Sequence, residues 1–298
     1  MSKNSVFDTA IDLPASQLSE REKGLLGFEG RYERIQNQLR LLLNQGQLPE
    51  WSKVHHKGVL PICNLISDQY PLVIFHGDVG TGKTATAECI ANRIVREART
   101  EDSVLFKLSN RVRGSGKVGE MGTLLTQAWA EVIEAAGKNR RAILIIDEGD
   151  SIAASRTQSH SHHEDKVAVN TLIQGVDDLR RFGGRIVVIL CTNRLSVLDA
   201  ALRRRAAIVE EFTRPDAEER KELFSMDLNG MGLTDKQLTE LASVTGERNG
   251  QPAWTFSDIR TRLYPTAMAK AFPDRPLSYK DLTDSILAMK PSPVMEDK

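Results

Sequence analysis

The stretch GDVGTGKT, residues 77–84, constrains the fold more than any other part of this chain. Gly77, four residues, then Gly82, Lys83 and Thr84 is the spacing of a phosphate-binding loop. Just before it lies PLVIF (71–75), a short apolar run of the kind a buried parallel strand presents. Just after it, TATAECIANRIV (84–95) sets Ala85, Ile90, Ala91, Ile94 and Val95 at helical spacing. In a strand, glycine turn and helix arranged in that order, loop N–H groups converge on phosphate oxygens and the helix N-terminus adds partial positive charge. Gly77, Asp78, Val79, Gly80, Thr81 and Gly82 are therefore the candidate cradle for ATP. Lys83 is placed for the outer phosphates, and the Thr84 hydroxyl for Mg²⁺.

Further apolar runs extend this unit. VLFKLS (104–109), AILIID (142–147) and RIVVILC (185–191) alternate with helical patterns, which predicts a parallel sheet covered by helices. FEGRYERIQNQLRLLLNQG (28–46) reads as an amphipathic helix with Ile35, Leu39, Leu42 and Leu43 on one face. A linker, QLPEWSKVHHKGVLP, follows it. Beyond EEFTRPDAEERK the strand-like runs stop, and helical segments are expected near 215–228, 234–245, 255–272 and 278–289. Asp235 and Ser278 stand near helix starts. Pro265 falls inside the third pattern and is expected to kink or split it.

The second half of the site is AILIIDEGDS (142–151), an apolar strand ending in Asp147 and Glu148. An acid at the carboxyl edge of a buried strand can hold Mg²⁺, and the next one can polarise an attacking water. Asn193, at the polar end of RIVVILCTNR, can align that water, touch the γ-phosphate, or serve only as a turn residue. LDAALRRRAAIVEEF (198–212) carries three consecutive arginines. One of them supplied by a neighbouring subunit would complete the site; the bland alternative is a surface basic cluster.

Composition narrows the function classes. With 40 basic and 40 acidic residues the net charge is zero, whereas a dedicated nucleic-acid binder usually shows a basic excess. Cys63, Cys89 and Cys191 are odd in number and far apart, which suggests neither a disulfide framework nor a zinc cluster and fits a reduced, cytoplasmic setting. No run is long enough for a membrane span, and the polar start MSKNSVFDTA is not a signal peptide.

Taken together these motifs resemble the AAA+ ATPases. GDVGTGKT is similar to their Walker A motif, LIIDEGDS to Walker B, CTN to sensor 1, and LDAALRRRA to the segment bearing the arginine finger. GSGKVGEM (114–121), IDEGDSIAASR (146–156), KVAVNTLIQGVDDL (166–179) and LRRRAAIVEEF (202–212) more narrowly resemble the Pch-type remodelers of HORMA-domain proteins, whose bacterial relatives accompany CBASS anti-phage operons. The resemblance implies a P-loop α/β large domain at 25–213 behind an N-terminal arm at 1–24. A helical lid at 214–290 and a disordered tail at 291–298 complete the expected division. It also implies a ring, a hexamer in the family, that opens a HORMA-domain protein and disassembles its complex with a nucleotidyltransferase. It selects Arg205 over Arg203 as the finger, with Arg204 as second choice, and places Leu26 and Gly27 against the adenine.

This chain departs from the family in several ways. Only a short segment precedes the phosphate loop, leaving at most an arm where eukaryotic members carry a substrate domain. The family's pore loop has aromatics where this chain has Arg111 and Val112; with Arg113 these are the candidate substrate-gripping residues, or a surface turn. Within TFSDIRTRL, Arg260 is favoured over Arg262 as a second γ-phosphate sensor, against a solvated helix face. His160, His162 and His163 could suggest a metal, but they sit in a Ser-rich loop without a partner cysteine and read as mobile. The competing functions are a nucleic-acid-associated AAA+ factor, such as a helicase loader or transposition regulator, and a nucleotide-gated scaffold.

Overall fold

A computed structural model describes residues 6–98, 102–109, 112, 120–153 and 163–295 of the chain. The apolar runs form β2 (Leu72–Gly77), β3 (Ser103–Leu108), β4 (Arg141–Ile146) and β5 (Ile186–Thr192), within a residue or two of expectation. With two further strands, β1 (Phe7–Leu13) and β6 (Ala206–Phe212), they lie in a six-stranded sheet of order β1-β3-β4-β5-β2-β6. All neighbours are parallel except β1 (Phe7–Leu13), which pairs antiparallel with β3.

Alternation along each strand sends side chains to two cores. Leu144 and Ile146 join Leu72 and Ile74 on the face covered by α6 (Glu120–Ala136) and α7 (His163–Leu179). Ile143 and Ile145 join Val73 and Phe75 on the other face, against α2 (Phe28–Leu43) and α5 (Lys83–Glu97). Both faces of the sheet are covered, so its central strands are apolar throughout.

The flanking strands were not expected. The N-terminal residues read as an extended arm or a short helix; Ser16–Lys23 is a short helix, α1, packed on α5, but Phe7–Leu13 is an edge strand. Only Phe7 and Leu13 of β1 are buried, so the segment has no apolar run to read. β6 (Ala206–Phe212) is similar: Ile208 and Phe212 point inward while Val209 is exposed. The linker contains two short helices, α3 (Leu48–His56) and α4 (Pro61–Ser67), each with a proline in its first turn, where the missing N–H costs nothing.

After β6 and α8 (Ala200–Arg203), the C-terminal helices build a core of their own around Leu223, Phe224, Leu241, Trp254, Ile259 and Leu282. α9 (Ala217–Asp227), α10 (Asp235–Val244) and α12 (Tyr279–Ala288) each start with a capping box, set by Asp216, Thr234 and Ser278. The third helical pattern does split: a π-helical turn, Asp258–Leu263, leads into α11 (Tyr264–Met268). Pro265 lacks the N–H that would continue the α-helical ladder there. The tail departs from expectation, because residues 291–295 are placed and hydrogen-bonded rather than disordered.

Candidate functional site

β2 delivers the phosphate loop to the carboxyl edge of the sheet, and α5 starts at its end. The edge strand β6 runs so close that a Cβ on Gly77 would lie 2.0 Å from the Phe212 carbonyl oxygen, and Gly77 has φ of 138°. Only glycine fits there. Lys83 is buried, and its Nζ donates to the carbonyls of Gly77 (2.9 Å) and Asp78 (2.8 Å). Burial pushes its ammonium pKa down, while the nearby Asp147, Asp78 and Asp150 carboxylates oppose that shift. The Thr81 hydroxyl donates to the Asp78 carbonyl at 2.8 Å, closing the turn.

The two groups expected to hold a cation meet directly. Thr84 Oγ1 donates to Asp147 Oδ2 at 2.8 Å across the β2–β4 gap. A hydroxyl and a carboxylate are hard oxygen donors of the type Mg²⁺ takes, so the residues present fit that ion. Asp147 Oδ1 accepts the Glu148 N–H at 2.9 Å, and Lys107 Nζ stands 3.8 Å from Oδ2. Glu148 is exposed, with φ of 51°. A left-handed backbone on a non-glycine residue stores strain of order 1 kcal/mol and is common at reactive positions.

Asn193 follows β5, and its N–H donates to Asp150 Oδ1 at 3.3 Å. The same oxygen accepts the Thr192 hydroxyl at 3.1 Å. Asp150 therefore links the acidic turn to the end of β5. Sequence reasoning passed over it, although a third acid in DEGDS was a signal. Arg205 is half-buried and forked onto Asp177 (2.5 and 2.9 Å), with its guanidinium over the Tyr70 ring at 5.0 Å; Arg203 and Arg204 are exposed.

The 26–27 segment lies at the seam between sheet and C-terminal helices. Leu26 packs on the helical core, and a Cβ on Gly27 would come within 3.2 Å of Glu219 on α9. Arg260, the candidate γ-phosphate sensor, is engaged within the chain. It forks onto Asp227 (2.7 and 2.8 Å) and donates to the Gly24 carbonyl at 2.7 Å, so it pins the helical unit to the approach to residues 26–27. The pore-loop reading also changes. Val112 is fully buried in the sheet core, its N–H bonded to Ser109 O at 3.0 Å, so it offers no surface to a gripped chain. Arg111, Arg113, His160 and His162 lie outside the described residues, as does the side chain of His163.

A phosphate loop, an acidic strand end and a polar neighbouring strand, closed over by a helical unit, define a nucleotide-hydrolysing protein of the P-loop class. Residues 73–214 match the family described as "ATPase family associated with various cellular activities (AAA)". The chain is 77% identical over all of both sequences to CD-NTase-associated protein 6 of Escherichia coli strain KTE188. It is 37% identical to the protein of that name from strain MS 115-1, covering 100% of this chain and 98% of the other. A solved structure, "Structure of E. coli MS115-1 HORMA:CdnC:Trip13 complex", superimposes with a TM-score of 0.88 at 36% identity, covering 99% of this chain and 100% of that one. The chain belongs to the AAA ATPase family, in its Trip13-like CD-NTase-associated branch, and it is an ATPase. Among the described residues no helix is long and apolar enough to cross a membrane.

Proposed function

We propose that this chain couples ATP hydrolysis to the opening of a HORMA-domain protein, disassembling its complex with a nucleotidyltransferase and so restraining an anti-phage response. The observation that carries this reading is the near full-length likeness to the Trip13 chain of a HORMA:CdnC:Trip13 complex. It acts as a ring in the cytoplasm, a hexamer by family resemblance. The free, buried cysteines agree with a reducing setting.

The site residues take the following roles. The amides of residues 77–82 and the Lys83 ammonium bind the phosphates of ATP. Thr84 and Asp147 would hold Mg²⁺, which would supply positive charge against the phosphates. Glu148 accepts a proton from the attacking water, and Asn193 aligns that water. Leu26 and Gly27 line the adenine. Arg205 of an adjacent subunit stabilises the developing charge, and Arg204 is the exposed neighbour that would replace it. The junction at 213–214, between β6 and α9, divides a large domain from a lid, and the large domain also takes in β1. Turnover changes the angle between them.

The test is steady-state ATP hydrolysis with and without a closed HORMA protein, in wild type and Arg205→Ala. Stimulation by the HORMA protein that is lost in Arg205→Ala supports a ring remodeler with a shared site. Stimulation by DNA instead would move the assignment to the nucleic-acid class.

A further inference from the structure

Arg214 lies in the short connection between β6 and α9 and is almost fully enclosed. Its guanidinium meets four acceptors in three different parts of the chain. Nε donates to the Asp78 carboxylate of the phosphate loop at 2.6 Å. Nη1 donates to the Ala253 carbonyl, in the turn that precedes the π-helical segment, at 2.5 Å. Nη2 donates to the carbonyls of Ser292 (2.9 Å) and Pro293 (3.0 Å).

The same groups are joined from the other side. Asp78 Oδ1 accepts the Met295 N–H at 3.2 Å, so the segment after α12 touches the phosphate loop directly. Its Ser292 end is fixed by Asp258, whose carboxylate accepts the Ser292 N–H (3.1 Å) and hydroxyl (2.6 Å). That carboxylate also accepts the Thr255 N–H at 3.1 Å. The turn it braces presses on the loop: Ser257 N donates to Gly80 O at 3.1 Å, and a Cβ on Gly80 would lie 2.7 Å from Thr255 and Ser257. Asp78 is thus doubly engaged. Its carboxylate is held by Arg214 and Met295, and its carbonyl accepts the Lys83 ammonium. A phosphate that draws Lys83 away from this carbonyl perturbs the same residue that Arg214 grips.

We propose that Arg214 is a positioning residue for ATP turnover. It holds the phosphate loop through Asp78 and passes the position of that loop to the lid and to the 292–295 strap. This rests on residues 77–84 being the phosphate site. A guanidinium suits the task, because its planar fork makes several bonds in fixed directions while remaining charged at any working pH. Lysine at this position would reach one or two of the four acceptors.

The experiment is hydrogen exchange of wild type and Arg214→Ala, with and without Mg²⁺ and a slowly hydrolysed ATP analogue, beside ATPase kinetics. In wild type, nucleotide is expected to change exchange at the Ser292 and Met295 amides by at least about threefold. Arg214→Ala is expected to bind nucleotide, lose that response, and show a KM for ATP raised about tenfold. Arg214→Lys restores little of either. Because Arg214→Ala removes several bonds at once, Met295→Pro is measured too; it deletes one N–H from a surface segment and is expected to raise KM in the same direction without lowering Tm. A purely structural ion pair would lower Tm yet leave the nucleotide response of the strap intact, and that result overturns the proposal. An unchanged KM in Met295→Pro overturns the part given to the strap. Failure of wild type itself to bind nucleotide would overturn the phosphate-loop reading and this inference with it.

Discussion

At the residue scale, the chemistry rests on a few atoms whose neighbours are now defined. Glu148→Gln keeps the shape of the acidic turn and removes the proposed base, so ATP should still bind while turnover falls by about 10²-fold or more; nucleotide binding and steady-state hydrolysis, measured on one preparation, check this. Gly77→Ala places a methyl against the Phe212 carbonyl. It is expected to lower Tm and to weaken nucleotide binding together, since β6 and the loop cannot both keep their places. That Lys83, Thr84, Asp147 and Glu148 gather at one edge of the sheet was legible, because each belongs to a short run with a fixed spacing after an apolar strand. Asp150 and Arg214 were not, because their partners lie far away in sequence: Asp150 meets Thr192, and Arg214 meets Asp78 and Ser292. No local pattern announces a bond that closes over so much chain. The pairing of Arg260 was hidden for a related reason, since its position on a helix does not reveal that Asp227 faces it.

At the element scale, central strands were readable and edge strands were not. β4 and β5 are apolar on both faces and stand out in any window, whereas β1 and β6 bury only alternate or terminal residues. The helices after residue 214 were located by their helical patterns and start residues, and their capping boxes explain why the starts were sharp. Asp216→Ala should lower the unfolding free energy by about 1 kcal/mol in denaturant titration, the usual worth of such a cap. α12 makes a pH prediction. The Arg275 guanidinium and the Ser278 groups hold the Asp281 carboxyl well below the usual carboxylate range. Its folded pKa is depressed, so its contribution is complete above the ordinary carboxylate pKa of about 4 and fades as pH falls below that. Thermal melts between neutral pH and pH 3 should therefore lose stability on the acid side, and Asp281→Asn should flatten that slope.

At the scale of the whole molecule, the sheet and the helical unit meet along one seam. Leu26, Gly27, Gly80, Arg214 and Arg260 all lie on it. The fold class was visible from the order of strand-like and helical runs. The seam was not, because it joins the first helices of the chain to the last. If Arg205 acts across a subunit boundary, Lys83→Ala and Arg205→Ala chains, each inactive alone, should regain part of the ATPase rate when mixed. Recovery in the mixture but not in either parent is the expected reading, and no recovery would place the arginine's role within one chain.

The hold of Asp177 on Arg205 has a metabolic side. A solitary chain keeps Arg205, the proposed finger, folded against its own Asp177 and over the Tyr70 ring. If Arg205 is the finger, such a chain would be thrifty: it would sit loaded with fuel and scarcely burn it. The specific ATPase rate per chain should then climb with protein concentration and level off as copies assemble. On that proposal, packing the finger away at home is a form of idling.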